Sequence, residues 1–390
     1  VKILLVAMAE SIHTARWVAQ LPVDEWDVHV FPSTAAGGAH PELRGVTFHG
    51  LLRAGAHPGI REGGLPVLHP RLASLGEEAA DRLLPWLRPY LLARVLRALR
   101  PDVVHSLEFQ HSSYLTLDAR ERGGDAFPPW IVTNWGSDIQ RFGEDPAHAP
   151  RIRRVLRSCD AYTCECARDV GLAREMGFTG RTFPPSPNGG GFDLARADRL
   201  RSGPPSRRTG IVLKGYQGWA GRALVAIEAL GAVEDLLVGR RLTVFSAAPE
   251  VALAARALAD RSGLDLEVRT SEDPLSHEEM LRRHGEARIS LGLSMSDGIS
   301  TSFLEAMVMG SFPVQSWTSC AGEWIVDGES GILVPPDDPV PVAAALRRAL
   351  TDDRLVDAAA ERNRAEAGRR LDGPALARVA RALYEEVRVA

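Results

Sequence analysis

Short apolar runs alternate with amphipathic helical segments along almost the whole chain, and this alternation constrains the fold more than any other feature. In the first half the strand-like runs fall at 2–8, 27–32, 46–51, 102–107 and 130–134, with a weaker one at 161–166. Helical segments such as 13–21 and 83–99 lie between them. From residue 210 the pattern restarts, with strands at 210–214, 241–246, 265–269 and 288–294. Helices at 221–231, 250–261, 277–284 and 302–309 follow them in turn. Strands separated by helices pair in parallel, because the helices must cover both faces of the sheet.

At 390 residues the chain is too long for one typical core. Two doubly wound α/β domains are therefore expected, over 1–200 and 207–373. The Pro/Gly-rich run Pro184-Pro-Ser-Pro-Asn-Gly-Gly-Gly191, continuing to Arg201-Ser-Gly-Pro-Pro-Ser206, is the expected hinge between them. The final segment, 374–390, places Leu376, Val379, Leu383 and Val387 at helical spacing. Its apolar stripe can pack on either domain, and a return to the first is one expectation.

Hydrophobic content of 45% and charge content of 25% are ordinary for a soluble globular protein. A net charge of −4 gives no global attraction to nucleic acid or anionic lipid, so no nucleic-acid partner is expected. The segment Val1-Lys-Ile-Leu-Leu-Val-Ala-Met8 reads as a first strand rather than a signal peptide. No apolar run approaches the ~20 residues needed to cross a bilayer. A cytoplasmic location is the expectation. The helix over 82–100 carries Arg82, Arg88, Arg94, Arg97 and Arg100 along an apolar stripe. It either solvates its arginines over its own domain or lies peripherally on the inner, anionic face of a membrane. Of four cysteines, Cys159, Cys164 and Cys166 cluster and Cys320 stands alone. Without a fourth ligand at suitable spacing they read as buried, reduced thiols rather than a metal site.

Residues 297–305, Asp-Gly-Ile-Ser-Thr-Ser-Phe-Leu-Glu, carry the strongest functional signal. A glycine turn follows the apolar run 289–294, and a short helix follows the turn and stops at Gly310. Strand, glycine turn and helix is how a parallel sheet holds phosphates on backbone N–H groups. Asp297, Gly298, Ile299, Ser300, Thr301, Ser302 and Glu305 thus sit where open α/β sheets place ligands. Each carboxylate has a structural alternative: Ser302 and Glu305 spell a capping box, and Asp297 before Gly298 is a common turn pairing.

The turn Lys214-Gly-Tyr-Gln-Gly-Trp-Ala-Gly-Arg222 combines three glycines with two cations. Lys214, Gly215 and Arg222 suit a diphosphate, although the spacing is not that of a P-loop. In the first half, Trp135, Ser137 and Asp138 end a strand and offer an indole and a carboxylate to a sugar. The alternative is a capped helix with a core tryptophan. His13 and Arg16 face the same end if the first helix begins near Ser11. The 34–80 region, rich in Gly, Pro, Arg and His, carries no readable code.

These motifs resemble the GT-B glycosyltransferases of the retaining family 4 type, also called glycosyl transferases group 1. The resemblance spans most of the chain. It rests on Ser-x-His-Thr-x-Arg-Trp at 11–17, Pro101-Asp-Val-Val-His105, Trp135-Gly-Ser-Asp-Ile139, Asn188-Gly189, and above all Asp297–Glu305 with Ala306, Met307 and Gly310. Pro313-Val314, Glu323-Trp-Ile-Val-Asp-Gly328 and Gly331-Ile-Leu-Val-Pro335 extend it. The resemblance implies two Rossmann-like domains facing a central cleft and transfer of a sugar from a nucleotide-diphosphate donor to a hydroxyl acceptor, with retention. It gives Asp297 the donor sugar, Glu305 the ribose, and the backbone at 298–300 the sugar and phosphates. Lys214 and Arg222 stand in for the family's Arg-x4-Lys pair, Asp297 for its first glutamate, and Trp135 for a cleft histidine. Cationic stabilisation of the diphosphate makes a metal or other cofactor unnecessary on this view. A sugar-nucleotide epimerase, a phosphorylase of the same fold and a non-catalytic partner subunit are the alternatives.

Overall fold

The computed structural model describes residues 1–35, 38–50, 52–53, 59–62, 65–66, 70–123 and 127–388. Parts of the 34–80 region therefore lie outside the described residues. The strands are β1 (Lys2–Ala7), β2 (Asp27–Pro32), β3 (Val46–Phe48), β4 (Leu52–Arg53), β5 (Ile60–Glu62), β6 (Leu65–Pro66), β7 (Val103–Leu107), β8 (Trp130–Thr133), β9 (Ala161–Thr163) and β10 (Arg181–Thr182) in the first half. The second half contributes β11 (Gly210–Lys214), β12 (Arg241–Phe245), β13 (Asp265–Val268), β14 (Ala287–Gly292), β15 (Phe312–Ser316) and β16 (Ile332–Val334).

The chain forms two compact units, one of Val1–Gly190 with Pro374–Ala390 and one of Gly191–Gly373. In the first, a parallel sheet runs β10-β9-β8-β7-β1-β2-β3-β5, and β4 and β6 pair separately. In the second, a parallel sheet runs β13-β12-β11-β14-β15-β16. Both strand orders reverse about their first strand, at β1/β7 and at β11/β14. Such a reversal opens a crevice at the carboxyl ends of the two strands, because the connecting helices leave on opposite faces.

Both faces of each sheet are buried. One face of the first sheet packs Leu4, Val104 and Val132 against Leu92, Leu96 and Ile152. The other packs Ile3, Leu5 and Val28 against Trp17, Val18 and the C-terminal helix Gly373–Arg388, through Ala380, Leu383, Tyr384 and Val387. In the second unit Phe192 and Ala197 join the core made by Phe303, Met307, Trp324 and Leu371. Residues 191–200, expected in the first domain or the hinge, thus belong to the second unit, because their apolar side chains are buried there.

Three further expectations change. The strand expected over 161–166 stops at Thr163, and the cysteines beyond it are buried thiols, as are Cys159 and Cys320. The basic segment is two helices, Pro70–Leu83 and Leu87–Leu99, interrupted at Pro85. Arg88 is buried against Glu77 and Asp81 rather than solvated. β15 and β16 were not expected as strands. Pro313 argues against an inner strand, yet β15 pairs with β14 and β16. No helix among the described residues is long and apolar enough to cross a membrane.

Candidate functional site

In the second unit the loops leaving β11 and β14 are stitched together at the strand-order reversal. Arg222 N donates to the Leu293 carbonyl at 2.9 Å and Met295 N to the Ala220 carbonyl at 3.1 Å. Two glycines of the β11 loop permit close packing beside it. A Cβ on Gly215 would lie 2.6 Å from Ala247 Cα, and one on Gly221 would lie 2.6 Å from the Tyr216 carbonyl oxygen. Close backbone packing is thus the visible reason for glycine at 215.

Lys214 ends β11 and projects between these loops. Its Nζ lies 3.3 Å from Asp297 Oδ2, 3.3 Å from Ser300 Oγ and 4.5 Å above the Tyr216 ring. Ser294 Oγ reaches the same Asp297 oxygen at 3.5 Å. Ser300 is the N-cap of helix Thr301–Met309, but its hydroxyl makes no capping bond and meets Ser302 Oγ at 3.0 Å instead. The first N–H groups of a helix have no intrahelical partner and carry its positive end. A cation, two hydroxyls and a helix start therefore converge at one point, next to a carboxylate. The Ile299 side chain is buried in the core, so it offers a ligand no side-chain contact. Gly310 closes the helix in the left-handed conformation, φ 72°.

Glu305 does not form the capping box with Ser302, which lies within the helix. It is buried, with Oε1 at 3.3 Å from His277 Nε2 and Oε2 at 3.5 Å from His284 Nε2. Burial raises its pKa, but the two imidazoles outweigh burial and bring it down to about 2. The carboxylate is held ionised by partners on the helix His277–Glu286. The His284 contact lacks hydrogen-bond geometry at Nε2, while its Nδ1 is 2.8 Å from Ser290 Oγ. Neither histidine was singled out from the sequence. Their i, i+7 spacing on one helix face was the available signal.

Arg222 is placed differently from Lys214. It pairs with Asp337 and donates to the carbonyls of Gly218 and Gly221. A phosphate must displace the exposed Asp337 carboxylate to recruit it.

In the first unit the residues at the β1/β7 reversal come together. Ser11 caps helix Ile12–Val18. His13 is exposed and packs edge-on to Trp135, ring centroids 5.3 Å apart. Trp135 is half-buried against the core. Arg16 lies beside Gly189, where a Cβ would be 3.8 Å from Arg16 Cδ. Ser137 opens a four-residue helix whose N-cap is Gly136, so neither Ser137 nor Asp138 is the N-cap. Asp138 is buried, and its Oδ2 accepts from Trp135 N at 2.8 Å and Phe109 N at 3.1 Å. Burial and the neighbouring Glu108 push its pKa well above the ordinary carboxylate range. It clasps two backbone segments, which corrects the expectation of an open carboxylate.

Glu108, overlooked in the sequence, sits at the end of β7 at φ 78°, a conformation costly for a side-chain-bearing residue. It starts the π-helical turn Phe109–Ser113 and accepts from His111 N at 2.8 Å and from Ser112 N. His111 Nδ1 lies 3.5 Å from Glu108 Oε2, and the hydrogen bond with Glu108 raises the imidazole pKa. Strained backbone and π-turns both concentrate at ligand sites.

Comparison with known proteins places these two reversals in context. A model of glycosyl transferases group 1 matches residues 220–352, and a glycosyl transferase 4-like model matches residues 77–165. No curated protein sequence matches the chain. Among solved structures, a sucrose-phosphate synthase from Thermosynechococcus elongatus superposes with a TM-score of 0.70 at 15% identity, covering 100% of both chains. HepE from Anabaena, in complex with UDP, gives 0.65 at 13% identity over 100% of both chains. A trehalose-6-phosphate synthase studied for glycosyltransfer with retention gives 0.68 at 13%, covering 100% of this chain and 99% of that one. At such identities the superpositions speak for the fold, and the two models speak for the sequence. One glycosyltransferase model thus matches within each unit, and the chain shares the GT-B fold of such enzymes from end to end.

Proposed function

We propose that the chain transfers a sugar from a nucleotide-diphosphate donor to a hydroxyl acceptor with retention at the anomeric carbon. The observation that carries this reading is the position of Lys214 Nζ, 3.3 Å from both Asp297 and Ser300 at the start of helix Thr301–Met309. A diphosphate at that point meets an ammonium, the Ser300 and Ser302 hydroxyls and the N–H groups at 300–302. Asp297 and the backbone of Gly298 and Ile299 then face the sugar, and Glu305 faces the ribose diol. Arg222 joins when phosphate replaces Asp337. His13, Arg16 and Trp135, at the reversal of the first sheet, are the acceptor candidates. The UDP complex of the structural relative HepE supports a nucleotide ligand of this kind.

In the reaction the anomeric C–O bond to the diphosphate breaks, and the acceptor oxygen bonds to the same carbon from the same face. The acceptor proton passes to the departing phosphate oxygen. Lys214 and the helix start stabilise the charge that develops there, so no divalent ion is required for that role. The test is to make Lys214→Ala, Arg222→Ala and Glu305→Ala and to measure transfer and donor binding separately. Lys214→Ala should lose roughly 2.7–4 kcal/mol of transition-state stabilisation, by analogy with oxyanion-hole donors. Chelator should leave the wild-type rate unchanged. Wild-type rates in all three variants would remove this site, and absence of any nucleotide binding would point to a non-catalytic partner. Conversion of a nucleotide sugar without acceptor would point to an epimerase.

A further inference from the structure

Where helices Pro70–Leu83 and Leu87–Leu99 meet, four large apolar side chains stand in solvent. Leu83 is 76% exposed, Trp86 48%, Leu84 42% and Tyr90 41%. The Trp86 and Tyr90 rings lie edge to face, centroids 6.2 Å apart. Along the second helix Tyr90, Arg94 and Arg97 follow at i, i+4 and i+7, which places them on one face. All three are exposed, while Leu92 and Leu96 are buried on the other side. Arg88 of the same helix is consumed by Glu77 and Asp81. Arg97 donates to the Ala93 carbonyl of its own helix. Among the described residues, neither Arg94 nor Arg97 has an acidic partner of that kind.

We propose that this corner docks the first unit onto an anionic lipid bilayer. Leucine, indole and phenol side chains at a helix corner suit the boundary between headgroups and acyl chains. The two arginines continue the same face and complement lipid phosphates. With a net charge of −4, the chain as a whole does not attract such a surface, so the attraction is local to this stripe. Apolar insertion and basic contact on one face together form the pair of signals that stable peripheral binding needs.

The experiment is co-sedimentation of the full chain with phosphatidylcholine vesicles and with vesicles that also contain phosphatidylglycerol. The chain should pellet with the anionic vesicles only, and high salt should release it. Arg94→Gln with Arg97→Gln should lower the partition about thirtyfold, since each basic residue near an anionic surface is worth ~1 kcal/mol, about fivefold. Leu83→Ser with Trp86→Ser should abolish pelleting, with an unchanged melting temperature showing that the unit remains folded. The salt dependence of the wild type tests the proposal without any variant. Equal binding to neutral vesicles, wild-type pelleting of both double variants, or no binding at all would overturn it. So would a dimer on size exclusion that Trp86→Ser dissociates, since a second copy would then cover this face.

Discussion

Glu305 illustrates how a buried charge is kept useful. Burial alone would neutralise a carboxyl in this position, yet His277 and His284 bring its pKa to about 2, so it stays an acceptor at any physiological pH. An acceptor of that kind suits the two hydroxyls of a ribose, and hydrogen bonds to a charged group are worth ~1.5–3 kcal/mol. Glu305→Gln should therefore weaken nucleoside diphosphate binding about ten- to hundredfold, read by calorimetry. The same measurement with a 2′,3′-dideoxy nucleotide separates contact from collapse. If Glu305 meets the ribose, the wild type loses affinity for the dideoxy ligand and the variant loses little more. Equal losses in both proteins would remove Glu305 from the ribose site.

The C-terminal helix Gly373–Arg388 is attached through a buried chain of polar side chains. Trp17 Nε1 donates to Tyr384 Oη at 2.8 Å, and Tyr384 Oη lies 2.7 Å from His105 Nδ1. His105 Nε2 is 2.6 Å from Thr133 Oγ1, which meets Thr163 Oγ1 at 2.8 Å. Tryptophan can only donate, so the tyrosine hydrogen is left for His105 Nδ1, and Nε2–H then points to Thr133. Tyr384→Phe leaves two buried polar groups unpaired and should cost roughly 1–3 kcal/mol in chemical denaturation. Burial also holds the His105 pKa down to about 3. The unfolded chain, with histidine near its ordinary value, therefore binds the extra proton first as pH falls. Stability should decline from about pH 6.5 downward, by on the order of 2–3 kcal/mol near pH 4.5 for this group alone. His49, lowered to about 4, adds to the same slope. His105→Gln should flatten the pH dependence of the melting temperature, and an unchanged slope would contradict the assignment.

At the scale of the molecule, the two units have separate cores, and the nucleotide site proposed above lies wholly in Gly191–Gly373. Two cores need not melt as one transition. A nucleoside diphosphate at a hundred times its dissociation constant should stabilise that unit by about 2.7 kcal/mol. Scanning calorimetry should then show the ligand raising one transition in the wild type and raising it less in Glu305→Gln, with the transition lowered by Tyr384→Phe less affected by ligand. Ligand stabilisation confined to the transition weakened by Tyr384→Phe would move the nucleotide site to the first unit.

The alternation of apolar runs and helices fixed the parallel α/β class and the doubling of the core, because strand and helix periods are local properties of a sequence. The glycine turn after 294 and the cation at 214 were legible for the same reason. Short edge strands such as β10 and β16, and Pro313 in β15, were not, since their pairing comes from neighbours distant in sequence. Only the tertiary structure showed that residues 191–200 join the second core and that Asp138 is a buried clasp. It also set Glu305 against two histidines and Arg222 against Asp337. Which groups pair is decided by the order in which strands lie side by side. That order brings 214 to 297 and 105 to 384, and no local pattern records it.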